Sequence, residues 1–245
     1  MAQQLKTVGI ATNPLKPKSR AVKKEMVVYL RSAGVRVLPA YKAEVLITIG
    51  GDGTILYNKN RYRKPVWAIG SDTSFLCQSN VKAWKKDLGM LLKNGYNIQR
   101  RSMLSAKLDG ARLPDALNEV VVRSRLHRVM GVKLSVGGRR FKFLCDGLIV
   151  CTATGSTAYA YSAGGRQMRA EDRRIQVVPI APYRRAFKPM MLNANAIIRA
   201  EIFEKCPADL TIDGQVRVSL KQTSKLVVIR ASREMEFVQT AGRKK

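Results

Sequence analysis

Residues 45–54 read VLITIGGDGT, and this stretch decides the fold of the first part of the chain. Val45 to Ile49 is an unbroken run of aliphatic and β-branched residues, which is typical of a strand buried on both faces of a parallel sheet. Gly50 to Thr54 follows directly, at the carboxyl end of the strand, where open α/β sheets bind their ligands. The stretch therefore predicts a glycine-rich ligand loop at the edge of a parallel sheet.

Strand and helix patterns alternate on both sides of this loop. Strands are predicted at residues 7–11, 35–38, 45–49 and 65–69, and helices at residues 19–32, 55–60 and 81–93. Such alternation favours a parallel α/β sheet. From about Gly95 onward the sequence pattern changes to many short runs of β-forming residues, separated by turn signals such as Asp109-Gly110 and Asp213-Gly214. We therefore predict an α/β domain over residues 1–98, followed by a mainly β domain over residues 99–231.

The net charge of +28 over 245 residues is the most unusual bulk property of the chain. Clustered Lys and Arg can neutralise the phosphates of nucleic acid, but they can equally attract nucleotides or polyphosphate. The basic residues are spread from Lys16 to Lys245 instead of forming one arm, and this distribution makes a dedicated nucleic-acid role the less favoured interpretation.

The remaining composition excludes several classes of protein. The four cysteines have no CxxC spacing and His127 is the only histidine, so no metal site of the structural zinc type is expected. No apolar run reaches the roughly 18 residues that a membrane span needs. Residues 1–6 lack the pattern of a signal peptide, so a cytoplasmic location is expected.

Asp52 is unexpected in a loop whose glycines could otherwise bring backbone N–H groups close to a phosphate, because a carboxylate repels anions. The residue makes sense if it orients a hydroxyl that attacks phosphorus, or if it holds a magnesium ion. The alternative is a tight turn with a solvated aspartate. Its position after a buried strand favours the functional interpretation.

Residues 146–165 read DGLIVCTATGSTAYAYSAGG and combine small hydroxyl residues with tyrosines. Hydroxyl groups together with flat aromatic faces fit a nucleoside pocket. The alternative is a polar loop that caps a helix over residues 156–162, and both interpretations can hold together. Asn118-Glu119 could hold a vicinal diol such as that of ribose, although the pair alone is as readily a loop before a strand.

Taken together, these motifs resemble the NAD kinase family. Gly50 to Thr54 matches its GGDGT loop, Asn118-Glu119 its Asn-Glu pair, and residues 146–165 its DG…TGSTAY…S-GG stretch. Residues 178–182 look like its TPIAP segment, and Asp213-Gly214-Gln215 like its DGQ turn. GGDGT alone is shared with lipid kinases and phosphofructokinases, whereas the DG…TGSTAY stretch is specific. The chain departs from the family at residues 71–75, where only the Phe of G-x-x-G-F is kept.

The resemblance implies a role for each matching residue. Asp52 would act on the adenosine ribose 2′-hydroxyl of NAD as it attacks the terminal phosphate of the donor. Asp146 would meet the nicotinamide half, and Gln215 would close the site. The full set of implied nucleotide-binding residues is Gly50, Gly51, Gly53, Thr54, Phe75, Asn118, Glu119, Asp146, Thr154, Thr157, Ala158, Tyr159, Ser162 and Gln215.

The resemblance also implies the partners and the architecture. The donor would be ATP or inorganic polyphosphate with a divalent cation, Mg²⁺ being expected, and the protein would form a homo-oligomer. The second domain would be sandwich-like, and the tail from about residue 232 to residue 245 would return to the first domain. The rival hypotheses are a kinase of another hydroxyl substrate, such as a lipid, and a nucleic-acid-binding protein.

Overall fold

A computed structural model of the chain describes residues 2–14, 17–126, 128–203 and 206–242. His127 and residues 243–245 therefore lie outside the described residues. The chain divides into two compact units, one formed by residues 1–100 with 235–245 and the other by residues 101–234. Each unit is described below by itself.

The first unit is built on a mostly parallel sheet with helices between its strands. Its elements are β1 (Thr7–Thr12), α1 (Pro17–Ser32), β2 (Arg36–Val37), β3 (Val45–Ile49), α2 (Asp52–Tyr62), β4 (Val66–Gly70), β5 (Ser79–Asn80), α3 (Trp84–Asn94), β6 (Tyr96–Arg101) and β19 (Met235–Thr240). Within the described residues the strand order is β2-β1-β3-β4-β19-β6, with β5 beside β4. The predicted α/β class is therefore confirmed.

The helices follow from apolar spacing and from the backbone at their ends. Val22, Met26 and Leu30 recur at intervals of four along α1 and are all buried, so this helix presents one apolar stripe to the core. Helix α2 begins at Asp52, three residues before the predicted start at Ile55, because Gly51 turns the chain with φ 94° immediately after β3.

The second unit contains two antiparallel sheets. Its elements are β7 (Leu104–Leu108), β8 (Ala111–Arg112), β9 (Glu119–Ser124), β10 (Met130–Val136), β11 (Arg139–Cys145), β12 (Gly147–Cys151), α4 (Tyr159–Ser162), β13 (Ile175–Ile180), β14 (Met190–Leu192), β15 (Ile198–Ile202), β16 (Ala208–Ile212), β17 (Val216–Leu220) and β18 (Lys225–Arg230). Among the described residues one sheet has the order β11-β10-β15-β18-β7-β8, and the other has the order β14-β13-β12-β9-β16-β17.

The two sheets share one hydrophobic core, which makes this unit a sandwich. Strand β10 shows the reason: Val132, Leu134 and Val136 are buried while Lys133 between them is exposed. Val132 and Leu134 belong to the same buried cluster as Val150 of the other sheet. The predicted sandwich-like β class is confirmed.

The single helix predicted over residues 156–162 is wrong in detail. A short 3₁₀ turn covers Gly155–Thr157, and α4 begins only at Tyr159. Ala158 separates them with φ −100° and ψ −129°, so the helical hydrogen-bond ladder is broken at that residue. Among the described residues, no helix has both the length and the apolar character needed to cross a membrane.

Candidate active site

The glycines between β3 and α2 form a bend that larger residues could not make. Gly50 and Gly51 have φ values of 148° and 94°, in the region that favours glycine, and both donate their N–H groups to the carbonyl of Ile69. A Cβ on Gly50 would lie 2.4 Å from Thr54 Oγ1 and 2.8 Å from Asn13 Cβ. The bend fixes where α2 begins at the carboxyl edge of the sheet.

Asp52 is held by backbone donors from a different loop. Its Oδ2 accepts the N–H of Phe75 at 2.9 Å, and its Oδ1 accepts the N–H of Leu76 at 3.1 Å. The Cys77 thiol lies 3.6 Å from the same Oδ1. The Asp52 side chain is half-buried, so it is not the freely solvated aspartate of a simple tight turn. Within the described part of the chain, no side-chain hydrogen bond caps the start of α2. These hydrogen bonds fix the orientation of the Asp52 carboxylate at the ligand edge of the sheet.

Gly53 has no structural need to be a glycine. It lies in the first turn of α2, its φ is not in the left-handed region, and a Cβ there would meet nothing within 4 Å. Glycine in a helix costs roughly 0.5–1 kcal/mol relative to alanine. The open, exposed space beside Gly53 is therefore suited to the close approach of a ligand to the backbone. The adjacent Thr54 is buried, and its Oγ1 has no hydrogen-bond partner among the described residues.

The loop after β4 contributes backbone, whereas the aromatic ring of Phe75 points into solvent. Ser74 Oγ accepts the N–H of Ser71 at 3.0 Å and so shapes the turn. A Cβ on Gly70 would lie 2.2 Å from this oxygen, so the loop packs tightly against the end of β4. The Phe75 ring is 76% exposed. The predicted nucleotide contact of its ring stays a prediction, but its N–H group has a defined partner in Asp52.

In the second unit, Asp213 clamps the Asn118-Glu119 segment. Its carboxylate accepts the N–H groups of Leu117, Asn118 and Glu119 at 2.8, 2.7 and 3.0 Å. The N–H of Asp213 in turn donates to the Glu119 carbonyl at 3.0 Å. Asp213 is 4% exposed and has φ 50°, so the turn after β16 aims a buried carboxylate at this backbone.

The serine- and threonine-rich loop after β12 holds the same segment from another direction. Thr152 donates its N–H to the Asn118 carbonyl at 2.9 Å and its hydroxyl to the Leu117 carbonyl at 2.6 Å. Gly155 donates its N–H to Thr152 Oγ1 at 3.1 Å. A Cβ on Gly155 would lie 2.1 Å from the Asn118 carbonyl oxygen, so only glycine fits against the segment.

Glu119 is a buried acid with an unusual titration. It is 7% exposed, and burial, followed by repulsion from the nearby Asp213 carboxylate, raises its pKa to about 8. At neutral pH the carboxyl group is therefore mostly protonated and can donate a hydrogen bond. Among the described residues, Glu119 Oε2 and Asn118 Oδ1 are both buried without a hydrogen-bond partner. Buried polar atoms without partners are costly, which indicates a ligand that supplies them.

The other predicted residues of this unit are distributed around the two ends of β12. Thr154 is buried and its carbonyl accepts the Thr157 hydroxyl at 3.2 Å. Ala158 forms the break before α4, Tyr159 is half-buried at its start, and the exposed Ser162 ends it. Asp146 lies before β12 and Thr152 after it, so about 20 Å of extended chain separates Asp146 from the Asn118-Glu119 segment. Gln215 is exposed in the turn two residues after Asp213.

The geometry adds two residues that the sequence-based site did not contain, Asp213 and Thr152. Both hold the Asn118-Glu119 backbone, whereas the sequence identifies Thr152 only as one of several hydroxyl residues of the 146–165 stretch and Asp213 only as part of the DGQ turn. A signal for Asp213 existed, because the chain contains only 17 acidic residues and this one stands beside a glycine in apolar surroundings. Its function as an acceptor of three N–H groups depends on residues 94 to 96 positions away and could not be predicted from spacing.

The fold resembles solved structures over nearly the whole chain. Yeast NADH kinase in complex with NADH superposes with a TM-score of 0.86 at 22% identity, covering 96% of this chain and 84% of that chain. An NAD kinase from Archaeoglobus fulgidus in complex with ATP superposes with a TM-score of 0.83 at 23% identity, covering 96% and 94%. At these identities the likeness establishes the fold.

Sequence relatives identify the family. The NAD kinase of Thermococcus sibiricus is 31% identical over 220 residues, which cover 88% of this chain and 80% of the relative. The NAD kinase of Pyrococcus abyssi is 32% identical over 216 residues, covering 86% and 78%. Residues 117–240 match the family described as ATP-NAD kinase C-terminal domain. The chain therefore belongs to the NAD kinase family.

Proposed function

We propose that this protein transfers a phosphoryl group from ATP or inorganic polyphosphate to the adenosine ribose 2′-hydroxyl of NAD, giving NADP. The observation that carries the proposal is the Asp52 carboxylate, which the N–H groups of Phe75 and Leu76 hold at the ligand edge of a parallel sheet. ATP as donor is supported by the Archaeoglobus fulgidus NAD kinase, which was solved in complex with ATP. Polyphosphate as donor rests on the family resemblance alone.

The chemistry requires mainly positioning and charge stabilisation. The ribose 2′-oxygen attacks the terminal phosphorus, the bond from that phosphorus to the donor's bridging oxygen breaks, and the hydroxyl proton passes to Asp52. The proton acceptor need not be a strong base, because phosphoryl transfer of this kind depends mainly on positioning and charge stabilisation. The amino end of α2 and the open backbone at Gly53 favour the approach of the donor phosphates.

Asn118 and Glu119 supply the groups that hold the adenosine part of NAD. Their unpartnered Oδ1 and Oε2 atoms are buried, and Glu119 in its protonated form can donate to one ribose hydroxyl while Asn118 accepts from another. We propose that Thr154, Thr157, Ala158, Tyr159 and Ser162 line the adenine pocket. Asp146, at the far end of β12, meets the nicotinamide half, and Gln215 closes the site.

The residues present fit a divalent cation that is bound mainly by the phosphates of ATP or polyphosphate. Among the described residues no group of three His, Cys, Asp or Glu side chains lies close enough to hold a metal. Mg²⁺ commonly binds through one or two carboxylates together with substrate phosphates. When bound, the cation would neutralise charge that develops on the phosphates, and the donor phosphates with water would supply most of its ligands. The expected homo-oligomer and cytoplasmic location stay predictions.

An assay of NADP formation tests the proposed reaction. Purified protein is incubated with Mg²⁺ and either NAD or NADH, in separate arms with ATP and with polyphosphate, and the phosphorylated dinucleotide is measured. NADP formation with ATP is the expected result. A diacylglycerol arm tests the lipid-kinase rival. Phosphorylation of the lipid without NADP formation under any donor contradicts the proposal.

Glu119→Gln should change how stability depends on pH. Because the pKa of Glu119 is about 8 in the folded protein and near 4.5 in the unfolded chain, the folded state binds more protons between these values. The free energy of unfolding therefore falls as pH rises through this range. The variant lacks this titration. The free energy of unfolding of the variant minus that of wild type should therefore rise by roughly 2–5 kcal/mol between about pH 5 and pH 8.5.

Urea unfolding followed by far-ultraviolet circular dichroism measures this difference. Tryptophan fluorescence would not, because Trp67 and Trp84 both lie in the first unit and Glu119 lies in the second. Glu25→Gln, on the exposed face of α1, is the matched control; it loses one surface ion pair with Lys85, worth at most about 1 kcal/mol, and its stability curve should run parallel to that of wild type between about pH 5 and pH 8.5. Parallel stability curves for wild type and Glu119→Gln would show that Glu119 titrates normally.

Gly53→Ala should stabilise the fold and impair catalysis. Alanine fits the first turn of α2 without a clash and should raise the free energy of unfolding by about 0.5–1 kcal/mol. The methyl group occupies space that we assign to the donor phosphates, so kcat/KM for ATP should fall by roughly tenfold or more. Gly89→Ala in α3 is the kinetic control away from the proposed site; its Cβ would lie 3.0 Å from the Tyr29 hydroxyl, so it should leave kcat/KM unchanged and raise stability less than Gly53→Ala does. If Gly53→Ala has the same kcat/KM for ATP as wild type, the donor phosphates do not bind beside Gly53.

A further inference from the structure

The outward face of one sheet of the sandwich collects basic side chains that are far apart in sequence. In strands β7, β10, β11, β15 and β18, residues that pack in or against the core alternate with residues that lie on the outward side of the sheet. The exposed cations at these outward positions, here called the basic face, are Lys107, Lys133, Arg140, Lys142, Arg199 and Lys225. They come from five adjacent strands of one sheet.

The register of the strands places like charges beside each other. Lys133 is directly opposite Lys142 in the β10–β11 pair, and Ser135 is opposite Arg140 on one side and Arg199 on the other. Adjacent strands are about 4.8 Å apart, so the backbones at Lys133 and Lys142 are one such spacing apart and those at Arg140 and Arg199 about 10 Å apart. Like charges directly opposite each other destabilise a sheet. The repulsion within these pairs opposes folding, which points to a function outside the fold.

Among the described residues, few acids compensate the basic face. Glu201, between Lys133 and Lys225 in the register, is the acidic residue on it, and its carboxylate binds Lys133 Nζ at 2.9 Å. Asp109, in the turn at its edge, accepts the backbone N–H of Lys225. On the other sheet, by contrast, Arg125 and Arg217 are both paired with Asp209.

The basic face also carries an open cavity. It has a volume of about 540 Å³ and is lined by Lys133, Arg140, Lys142, Arg199 and Lys225 together with apolar residues of the same strands. The Phe203 ring lies over Gly131 at one side, where a Cβ on Gly131 would be 2.5 Å from the ring. Lys142 Nζ and Lys133 Nζ lie 4.8 and 5.8 Å from the centre of that ring.

We propose that the basic face binds the backbone of single-stranded nucleic acid without sequence preference. Grooves for single strands combine cations that follow the phosphates with an aromatic ring on which a base stacks, and here the half-buried Phe203 ring beside Lys133 and Lys142 would have to take that part. Polyphosphate carries no group for the ring to contact. A second copy of the chain is disfavoured, because a two-fold interface would set the basic face against itself.

Fluorescence anisotropy with a labelled 20-nucleotide oligo-dT measures the binding over a series of salt concentrations. The triple variant Arg140→Gln/Lys142→Gln/Arg199→Gln should weaken binding at least tenfold. Because each phosphate neutralised on a single strand contributes about 0.7 to the slope of log K against log salt, the slope should decrease by about 2. NADP formation should be unchanged, and saturating NAD should not displace the oligonucleotide.

Two further variants distinguish binding at the basic face from attraction by the net positive charge of the protein. Lys18→Gln/Lys23→Gln/Lys24→Gln removes the same charge from the exposed side of α1 and should weaken binding much less. Phe203→Ala should weaken binding about tenfold with an unchanged salt slope, because it removes stacking and no cation.

Equal weakening by the two triple variants, or no binding by wild type at 0.1 M salt, overturns the proposal. Equally tight binding of polyphosphate together with no effect of Phe203→Ala would make the basic face a site for polyphosphate. Binding to vesicles with anionic lipids but not to oligo-dT would make it a membrane surface. Sedimentation that shows dimers lost in the Arg140→Gln/Lys142→Gln/Arg199→Gln variant would make it a subunit interface. Each of these three results also overturns the proposal.

Discussion

Asp52→Asn should lower kcat for NADP formation by about 10²–10⁴ while NAD still binds. The amide cannot take the proton of the ribose hydroxyl, and it offers one acceptor oxygen where the carboxylate offers two. One of the N–H groups of Phe75 and Leu76 therefore loses its partner, and the side chain turns from its present direction. Steady-state kinetics give kcat, and calorimetric titration gives the dissociation constant for NAD.

Asp72→Asn is the matched control for this variant. Asp72 belongs to the same loop after β4, but its carboxylate is 64% exposed and meets Lys82 Nζ at 3.6 Å on the surface. The same chemical change should therefore leave kcat within about twofold of wild type, as expected for a surface ion pair. Unchanged turnover in Asp52→Asn would show that the base has been assigned to the wrong residue. Loss of NAD binding in this variant would make Asp52 a binding residue.

The sequence predicted best those elements that depend on local pattern. Strand β3 has the bounds predicted for it, Val45–Ile49, because an apolar run ending at two glycines has few alternatives. The start of α2 was misplaced because it depends on the φ of Gly51, which composition does not reveal. The break at Ala158 was missed for a similar reason, since small and hydroxyl residues are compatible with a continuous helix as well as with two short turns.

The candidate site was predictable in its residue types but not in its supports. Asp52, Asn118 and Glu119 stood out because their chemistry differs from their surroundings. The partners that hold them are distant in sequence: Asp52 is held from Phe75 and Leu76, and the Asn118-Glu119 segment from Asp213. Backbone N–H groups are present at every residue except proline, so no sequence pattern could identify which of them receive a carboxylate.

Gly155→Ala should disrupt the Asn118-Glu119 segment and with it the binding of NAD. The added Cβ would lie 2.1 Å from the Asn118 carbonyl oxygen and 2.5 Å from its carbonyl carbon, and both neighbours are backbone. The segment cannot move away freely, because Thr152 and Asp213 hold it through buried hydrogen bonds. We expect KM for NAD to rise by roughly 100-fold and the free energy of unfolding to fall by about 1–3 kcal/mol, as for other overpacked cores.

Gly138→Ala separates the steric effect at the site from a general loss of stability. Gly138 has φ 76° in the turn between β10 and β11, and a Cβ there would meet nothing within 4 Å. The substitution should therefore cost about 1 kcal/mol of backbone strain and leave KM for NAD unchanged. If Gly155→Ala lowers stability but keeps the wild-type KM for NAD, then the segment that Gly155 supports does not hold the dinucleotide. If KM rises in Gly155→Ala alone, the rise follows from displacement of Asn118 and Glu119, since both variants lose stability.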